Sequence, residues 1–194
     1  MPASNGAVLN PTVGPAAGGG DTVASTPYAG WAACSVFDPE GDLVKSYNRK
    51  YIRGGGGMQG KKAALRCGAH VPETGKGYGY RHLKARHMGQ WQKYAAAVND
   101  NWIDLAAYEM SWTLKDPQVV DWDKGNVDPD TGSAKGSWCF GRSFNLYRLS
   151  DGRYEGQMRA RVAVGETARK IITAVPMSSN DRYCRIGGKR MFSH

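Results

Sequence analysis

The hydrophobic period changes once along this chain, and that change constrains the fold more than any other feature. Between Gly79 and Val98 the residues Leu83, His87, Trp91, Tyr94 and Val98 recur at three- and four-residue steps, the spacing of one stripe along an α-helix. Asp100 or Asn101 then stands where a second helix would be capped. Trp102, Leu105, Ala106, Met110 and Thr113 follow on one face, and Pro117 lies just beyond. Residues 118–136, rich in Asp, Gly and Pro, read as a long loop. After it the period is two: Trp138, Phe140, Phe144 and Leu146 alternate, Ser150-Asp151-Gly152 supplies a turn, and Tyr154, Met158, Ala160, Val162 and Val164 alternate again. Residues 165–168 turn the chain into a third strand over 169–176, and 182–186 reads as a short fourth. Helices first and an antiparallel meander of about four strands afterwards predict an α+β domain, its N-terminal helices packed on one face of the sheet.

Residues 1–27 consist mainly of Ala, Gly, Pro, Ser and Thr with one acidic and no basic side chain, too little apolar surface to offset the entropy of ordering them. They are expected to be a disordered linker or tail ahead of a single domain over 28–194, and a chain of 194 residues suits that count. From Tyr28 to Cys67 the pattern is strand-like and broken by Gly54–Gly57. Gly54–Gly60 reads as a hairpin tip rather than a phosphate cradle, because no Gly-Lys-Ser/Thr sequence follows. No stretch approaches the roughly 20 apolar residues of a membrane helix, so a membrane span is not expected.

Charge is segregated. Residues 1–44 carry −4, residues 45–93 hold twelve basic residues against Glu73 alone for +11, residues 94–139 carry −5 and residues 140–194 carry +7. Two basic blocks around an acidic middle point to a polyanionic partner, since clustered cations gain free energy by releasing the counterions condensed on phosphate chains. The plainer alternative is that the charge serves only solubility. The cysteines Cys34, Cys67, Cys139 and Cys184 are far apart, with no metal-ligand spacing. Disulfides Cys34–Cys67 and Cys139–Cys184 are favoured, Cys67 and Cys184 each lying in one basic block, which implies a protein that works outside the cytosol. The lack of a signal peptide then means that it was removed or that the chain is the C-terminal module of a larger exported protein.

Two of the four histidines fall within Gly77-Tyr-Gly-Tyr-Arg-His-Leu-Lys-Ala-Arg-His87. On a helix His82 and His87 lie about 140° apart, and their spacing of five disfavours the two-histidine zinc site that wants four. His87 falls on the apolar stripe and would serve equally as a core histidine bonded to a carbonyl; His82 would serve equally as a solvated one. Acid-base work on RNA is the functional reading. A base takes the 2′-hydroxyl proton, an acid protonates the 5′-oxygen, and cations hold the charged transition state. Arg81, Lys84 and Arg86 would bind phosphate and keep the imidazole neutral by repelling its proton. Arg142 alternates with Phe140 and Phe144, an odd place for a guanidinium unless it reaches an anion or a carboxylate, or snorkels to an edge. Thr173 shares a strand face with Arg169, and Arg169 and Lys170 are further phosphate-binding candidates by their charge.

These parts together resemble the barnase-EndoU-colicin-RelE (BECR) superfamily of metal-independent ribonucleases, especially the toxin modules at the C-termini of exported bacterial proteins. The residues that carry the resemblance are the helix-opening run over 77–87 and Arg-Lys-Ile-Ile-Thr-Ala-Val-Pro at 169–176, which is similar to the family's closing strand. With the order of elements they cover about residues 76–178. The resemblance implies a barnase-like fold and cleavage to a 2′,3′-cyclic phosphate without metal or cofactor. It also implies His82 as the leading catalytic histidine, His87 as second histidine or support, Thr173 as a substrate-contacting hydroxyl, and an acidic immunity protein as partner. The divergent directions of the two histidines depart from a simple acid-base pair. Two rivals stand beside it: a secreted module that binds polyanions without catalysis, and a toxin transferring ADP-ribose. The second is short of acid, since Glu155 and Glu166 are the only glutamates after residue 109.

Overall fold

The computed structural model describes residues 30–52, 62–123, 136–165 and 169–178, and the backbone at 21–22 and 190–193. The expected tip at Gly54–Gly60, the expected strand at 182–186 and Cys184 lie outside the described residues. Along the chain run β1 (Asp21–Thr22), β2 (Leu43–Asn48), β3 (Lys62–Arg66), β4 (Ala69–Val71), β5 (Lys76–Tyr78), α1 (Gly79–Val98), α2 (Trp102–Lys115), β6 (Val119–Asp123), β7 (Ser137–Tyr147), β8 (Tyr154–Gly165), β9 (Ile171–Ser178) and β10 (Arg190–Ser193). Among the described residues the architecture is α+β: two helices and sheets, the largest an antiparallel run ordered β10-β6-β7-β8-β9 to which β1 adds in parallel beside β7.

Both helices occupy the residues that the 3.6-residue period marks. Asn101 caps α2, its side-chain oxygen accepting from the Asp104 amide at 2.9 Å, which satisfies one of the amides a helix start leaves open. The end of α1 turns on Asn99 in the left-handed conformation, φ 61°, with its amide bonded back to the last turn. The hairpin β7–β8 and strand β9 follow the alternation. Val162 pairs with Phe140 on one side and Ala174 on the other, so the apolar positions of three strands share one face. Trp138, Phe140, Phe144, Met158, Val162 and Ile171 bury that face against Leu83, Trp91, Ala95, Leu105, Met110 and Leu114 of the helices. Trp91 is wholly buried and donates from Nε1 to the Ala174 carbonyl at 3.3 Å, which fixes α1 to β9.

Three sequence expectations need correction. The stretch 118–136 is not loop throughout, because Val119–Asp123 forms β6, pairing with β7 from Val119↔Gly141 to Asp123↔Ser137. Val119 and Val120 are buried there; two adjacent β-branched residues fit an open strand edge better than the Asp and Pro around them suggest. Residues 1–27 are not wholly outside the fold. Asp21–Thr22 lies parallel to β7 opposite Phe144 and Asn145, beyond the reach of β6 along that edge. The third meander strand begins at Ile171 rather than Arg169, because Arg169 takes φ 52°, which breaks an extended chain.

Candidate functional site

The site is assembled at the start of α1. There β3 ends in Cys67-Gly68 and the short β4–β5 hairpin leads into the helix, with His70 paired to Gly77 across it. Gly68, at φ +66°, passes so close to Tyr78 that a Cβ would stand 2.0 Å from the Tyr78 carbonyl oxygen. Only glycine permits this approach, which brings the β4–β5 hairpin against the first turn of α1. The His70 and His82 rings come within 5.7 Å, and the His82 and His87 rings within 5.5 Å at 76° to each other. The divergence expected of His82 and His87 is therefore overturned at the level of the rings. Helical side chains lean toward the N-terminus, so the ring of His87 leans back over the preceding turn.

The environment of these rings is polar in function but poor in partners. Nδ1 of His70 and Nδ1 of His82 are buried without a hydrogen-bond partner. Burial, followed by His87, His70 and Arg86, pushes His82 down to about 4, so at neutral pH it is uncharged. Burial also lowers His87; its bond to Gln90 works the other way, and Arg161 and Arg86 add to the lowering. The Gln90 contact is 2.9 Å from Nδ1 to Oε1. Because an amide oxygen only accepts, this Nδ1 carries the proton and Nε2 is the free nitrogen. Arg161 lies on β8 opposite Val175, and Thr173 lies on β9 opposite Ala163, so Arg161 and Thr173 are diagonal neighbours on one sheet face. The Thr173 hydroxyl is buried and unpartnered.

The other expected site residues are distributed differently. Arg86 belongs to the cluster through its charge and packs its guanidinium against Gly75 at the β4–β5 turn. Lys84 is exposed on α1. Arg81 is turned away to hold the preceding loop, donating to the carbonyls of Gly68, Ser35 and Asp38. Arg142 is buried and resolves its odd position by pairing with Asp116, to the carboxylate at 2.8 Å and to the carbonyl that ends α2. Neither Arg81 nor Arg142 is placed for phosphate binding. Lys170 sets its ammonium 4.9 Å over the Tyr78 ring, beside the start of α1, and Arg169 is exposed nearby. Sequence reasoning missed His70 and Arg161. The signal for His70 was the short alternation Ala69-His70-Val71 and Lys76-Gly77-Tyr78 around Glu73-Thr74-Gly75, a hairpin pattern three residues a side.

Cys34 and Cys67 form a disulfide as expected. Cys139 is also disulfide-bonded. Among the described residues, the His, Cys, Asp and Glu group with ligand atoms mutually within 4.8 Å is Cys34, Asp38 and Cys67, whose sulfurs are joined to each other and so cannot serve as thiolates. Glu155 is tied to Arg148 and Arg153 at the β7–β8 turn, remote in topology from the histidines, and Glu166 lies outside the described residues. No described helix is long and apolar enough to cross a membrane.

The chain is 31% identical over 169 residues to uncharacterized proteins of Mycobacterium tuberculosis, Rv0739 of strain H37Rv and MT0764 of strain CDC 1551. The match covers 82% of this chain and 54% of each relative, so the chain spans about half the length of the curated relatives it matches. No family model matches the chain, and no solved structure matches it.

Proposed function

We propose that this protein is a metal-independent endoribonuclease of the BECR type, an exported bacterial toxin module that cuts RNA by transphosphorylation. The observation that carries the reading is the cluster of three imidazoles, His70, His82 and His87, flanked by Arg86 and Arg161 and containing a His82 kept neutral at physiological pH. Neutral His82 takes the proton of the 2′-hydroxyl as that oxygen attacks phosphorus. The bond from phosphorus to the 5′-oxygen breaks, and His87 supplies the proton to the departing oxygen. Gln90 suits His87 to the acid role because it accepts from the ring and favours its charged form; an arriving phosphate also offsets the repulsion from Arg86 and Arg161. The two guanidiniums and the Thr173 hydroxyl hold the phosphoryl oxygens, and the products are a 2′,3′-cyclic phosphate and a free 5′-hydroxyl. Two helices followed by an antiparallel meander are in keeping with a barnase-like arrangement. The Cys34–Cys67 disulfide is in keeping with an exported life, and the relatives' greater length with a module of a larger protein. An acidic immunity protein covering the basic site would be its partner in the producing cell.

The test is incubation of the protein with RNA in excess chelator, beside His82→Ala and His87→Ala variants whose folding is verified. Chelator-resistant cleavage with cyclic-phosphate ends, lost in His82→Ala, supports the reading. Intact RNA across pH and salt, with steeply salt-dependent binding retained, would replace it with the non-catalytic polyanion-binding module.

A further inference from the structure

Outside the histidine cluster, a buried guanidinium stands without an anion. Arg49 directly follows β2 and is 4% exposed. Two carbonyls fix it: Nε donates to Lys62 at 3.4 Å and Nη1 to Lys50 at 3.3 Å. The remaining nitrogen, Nη2, is buried with no partner. A buried cationic donor left open is costly, and such groups are ordinarily answered by an anion. The charge that acts on Arg49 is instead another cation: burial first and Arg169 second both lower its pKa. The strand register sets both residues against one strand. Asn48 pairs with Lys62, and two residues along β3 the amide of Ala64 donates to the Arg169 carbonyl at 2.9 Å, so β3 joins both arginines. Arg169 holds the left-handed φ of 52°, with its own amide bonded to the Gly165 carbonyl at 3.0 Å. Non-glycine residues pay for that conformation, and here it sits beside the buried arginine. No carboxylate pairs with Arg49 or Arg169 among the described residues.

We infer that Arg49 and Arg169 form a phosphate-binding subsite that takes a phosphodiester of the RNA strand neighbouring the one held at His82. A tetrahedral phosphate offers oxygens in several directions, so one group can accept from the open Nη2 of Arg49 and from the fork of Arg169 together. The next residue, Lys170, lies over Tyr78 at the head of α1, and His70 is paired to Gly77 just before it, so the two sites flank the same helix start. The identity of the occupant rests on the ribonuclease reading; the anion site itself does not.

The experiment compares wild type, Arg169→Gln, Arg49→Lys and His82→Ala, all as the full chain, in two measurements. One is the rise in Tm given by inorganic phosphate over chloride at equal ionic strength. The other is the salt dependence of binding to a 2′-deoxy oligonucleotide, which lacks the attacking hydroxyl. Wild type and His82→Ala are expected to gain Tm with phosphate, and Arg169→Gln to lose most of that gain. Arg169→Gln should also bind the oligonucleotide about 5- to 10-fold more weakly, with a salt slope shallower by about 0.7. Because Arg169 is exposed, its variant keeps the test valid even if Arg49→Lys fails to fold. No phosphate-specific rise in wild type, or an unchanged rise and affinity in Arg169→Gln, overturns the subsite. A lost phosphate response with unchanged oligonucleotide affinity and slope overturns the RNA strand as occupant. Should wild type never cleave RNA while Arg169→Gln loses oligonucleotide affinity, the subsite stands and the ribonuclease reading falls.

Discussion

The ring of His82 lies 5.7 Å from the ring of His70, although one belongs to a helix and the other to the hairpin that precedes it. With His87 5.5 Å away as well, His82 is the ring that meets both of the others. Protonating it would place a charge among imidazoles, next to Arg86, with its Nδ1 buried.

Titration of the histidine ring protons by NMR is therefore expected to show His82 changing state near pH 4. In the unfolded chain the same ring titrates near its ordinary value of 6.5. Between these values the unfolded state binds the extra proton, so stability present above pH 6.5 is lost as pH falls toward 4. After allowance for solvent screening of a half-buried ring, about 1–2 kcal/mol of the acid-side loss belongs to His82. Denaturation midpoints at pH 7 and 4.5 measure it, and His82→Ala should flatten the difference.

Activity should follow the same ring together with His87. On the ribonuclease reading, kcat/KM for RNA reports both proton carriers of the free enzyme: it should fall toward pH 4 as His82 is protonated, and fall again as pH rises past the lowered pKa of His87, which must hold the proton it donates. Removing His87, the largest charge contribution to the depression, should move the His82 titration upward. A His82 resonance that stays near pH 4 in His87→Ala would count against their electrostatic contact.

Glu109 is wholly buried on α2, and neither carboxylate oxygen has a partner. Burial drives its pKa well above the ordinary value, so it is neutral in the folded protein at moderate pH. The sign is opposite to that of His82: the contribution is present below the unfolded pKa and is lost as pH rises through the folded one. Glu109→Gln, which keeps the shape without the acid, should be more stable than wild type at pH 8 and no more stable at pH 4, as read from urea midpoints.

Arg142 distinguishes support from catalysis. Its side chain is 8% exposed and bonds both the carboxylate and the carbonyl of Asp116. Arg142→Met should lower stability by about 1–3 kcal/mol through the loss of charge-assisted bonds at the end of α2, while the folded fraction cleaves RNA at the wild-type rate. A selective loss of cleavage at unchanged stability would return Arg142 to the substrate.

Reduction of Cys34–Cys67, which spans 33 positions, should cost about 4 kcal/mol by freeing the unfolded chain. The paired Cys34→Ala and Cys67→Ala variant should reproduce the fall in Tm, and the β4–β5 hairpin carrying His70 should exchange its amides faster, because Cys67 adjoins it.

The amphipathic runs of 20 and 14 residues were legible because each element's own turn geometry repeats often enough to mark a face, and the β7–β8 hairpin was legible for the same reason at period two. Val119–Asp123 was not, since five residues among Asp and Pro carry too few repeats, and their pairing comes from an open edge of β7. Candidate cations showed the same division. Charge alone could not tell Arg86, beside the histidines, from Arg81, bonded to three carbonyls, or from Arg142, bonded to Asp116.

What the sequence determined by itself was local: helix faces, strand alternation, and a cap at Asp100 or Asn101. Tertiary structure alone decided that His70 joins His82, that Arg161 comes within electrostatic reach of His87, and that Arg169 acts electrostatically on the buried Arg49, with no carboxylate paired to either among the described residues. Residue spacing sets direction around one element, whereas meetings between elements depend on where the chain closes its loops and how closely a glycine lets two backbones approach.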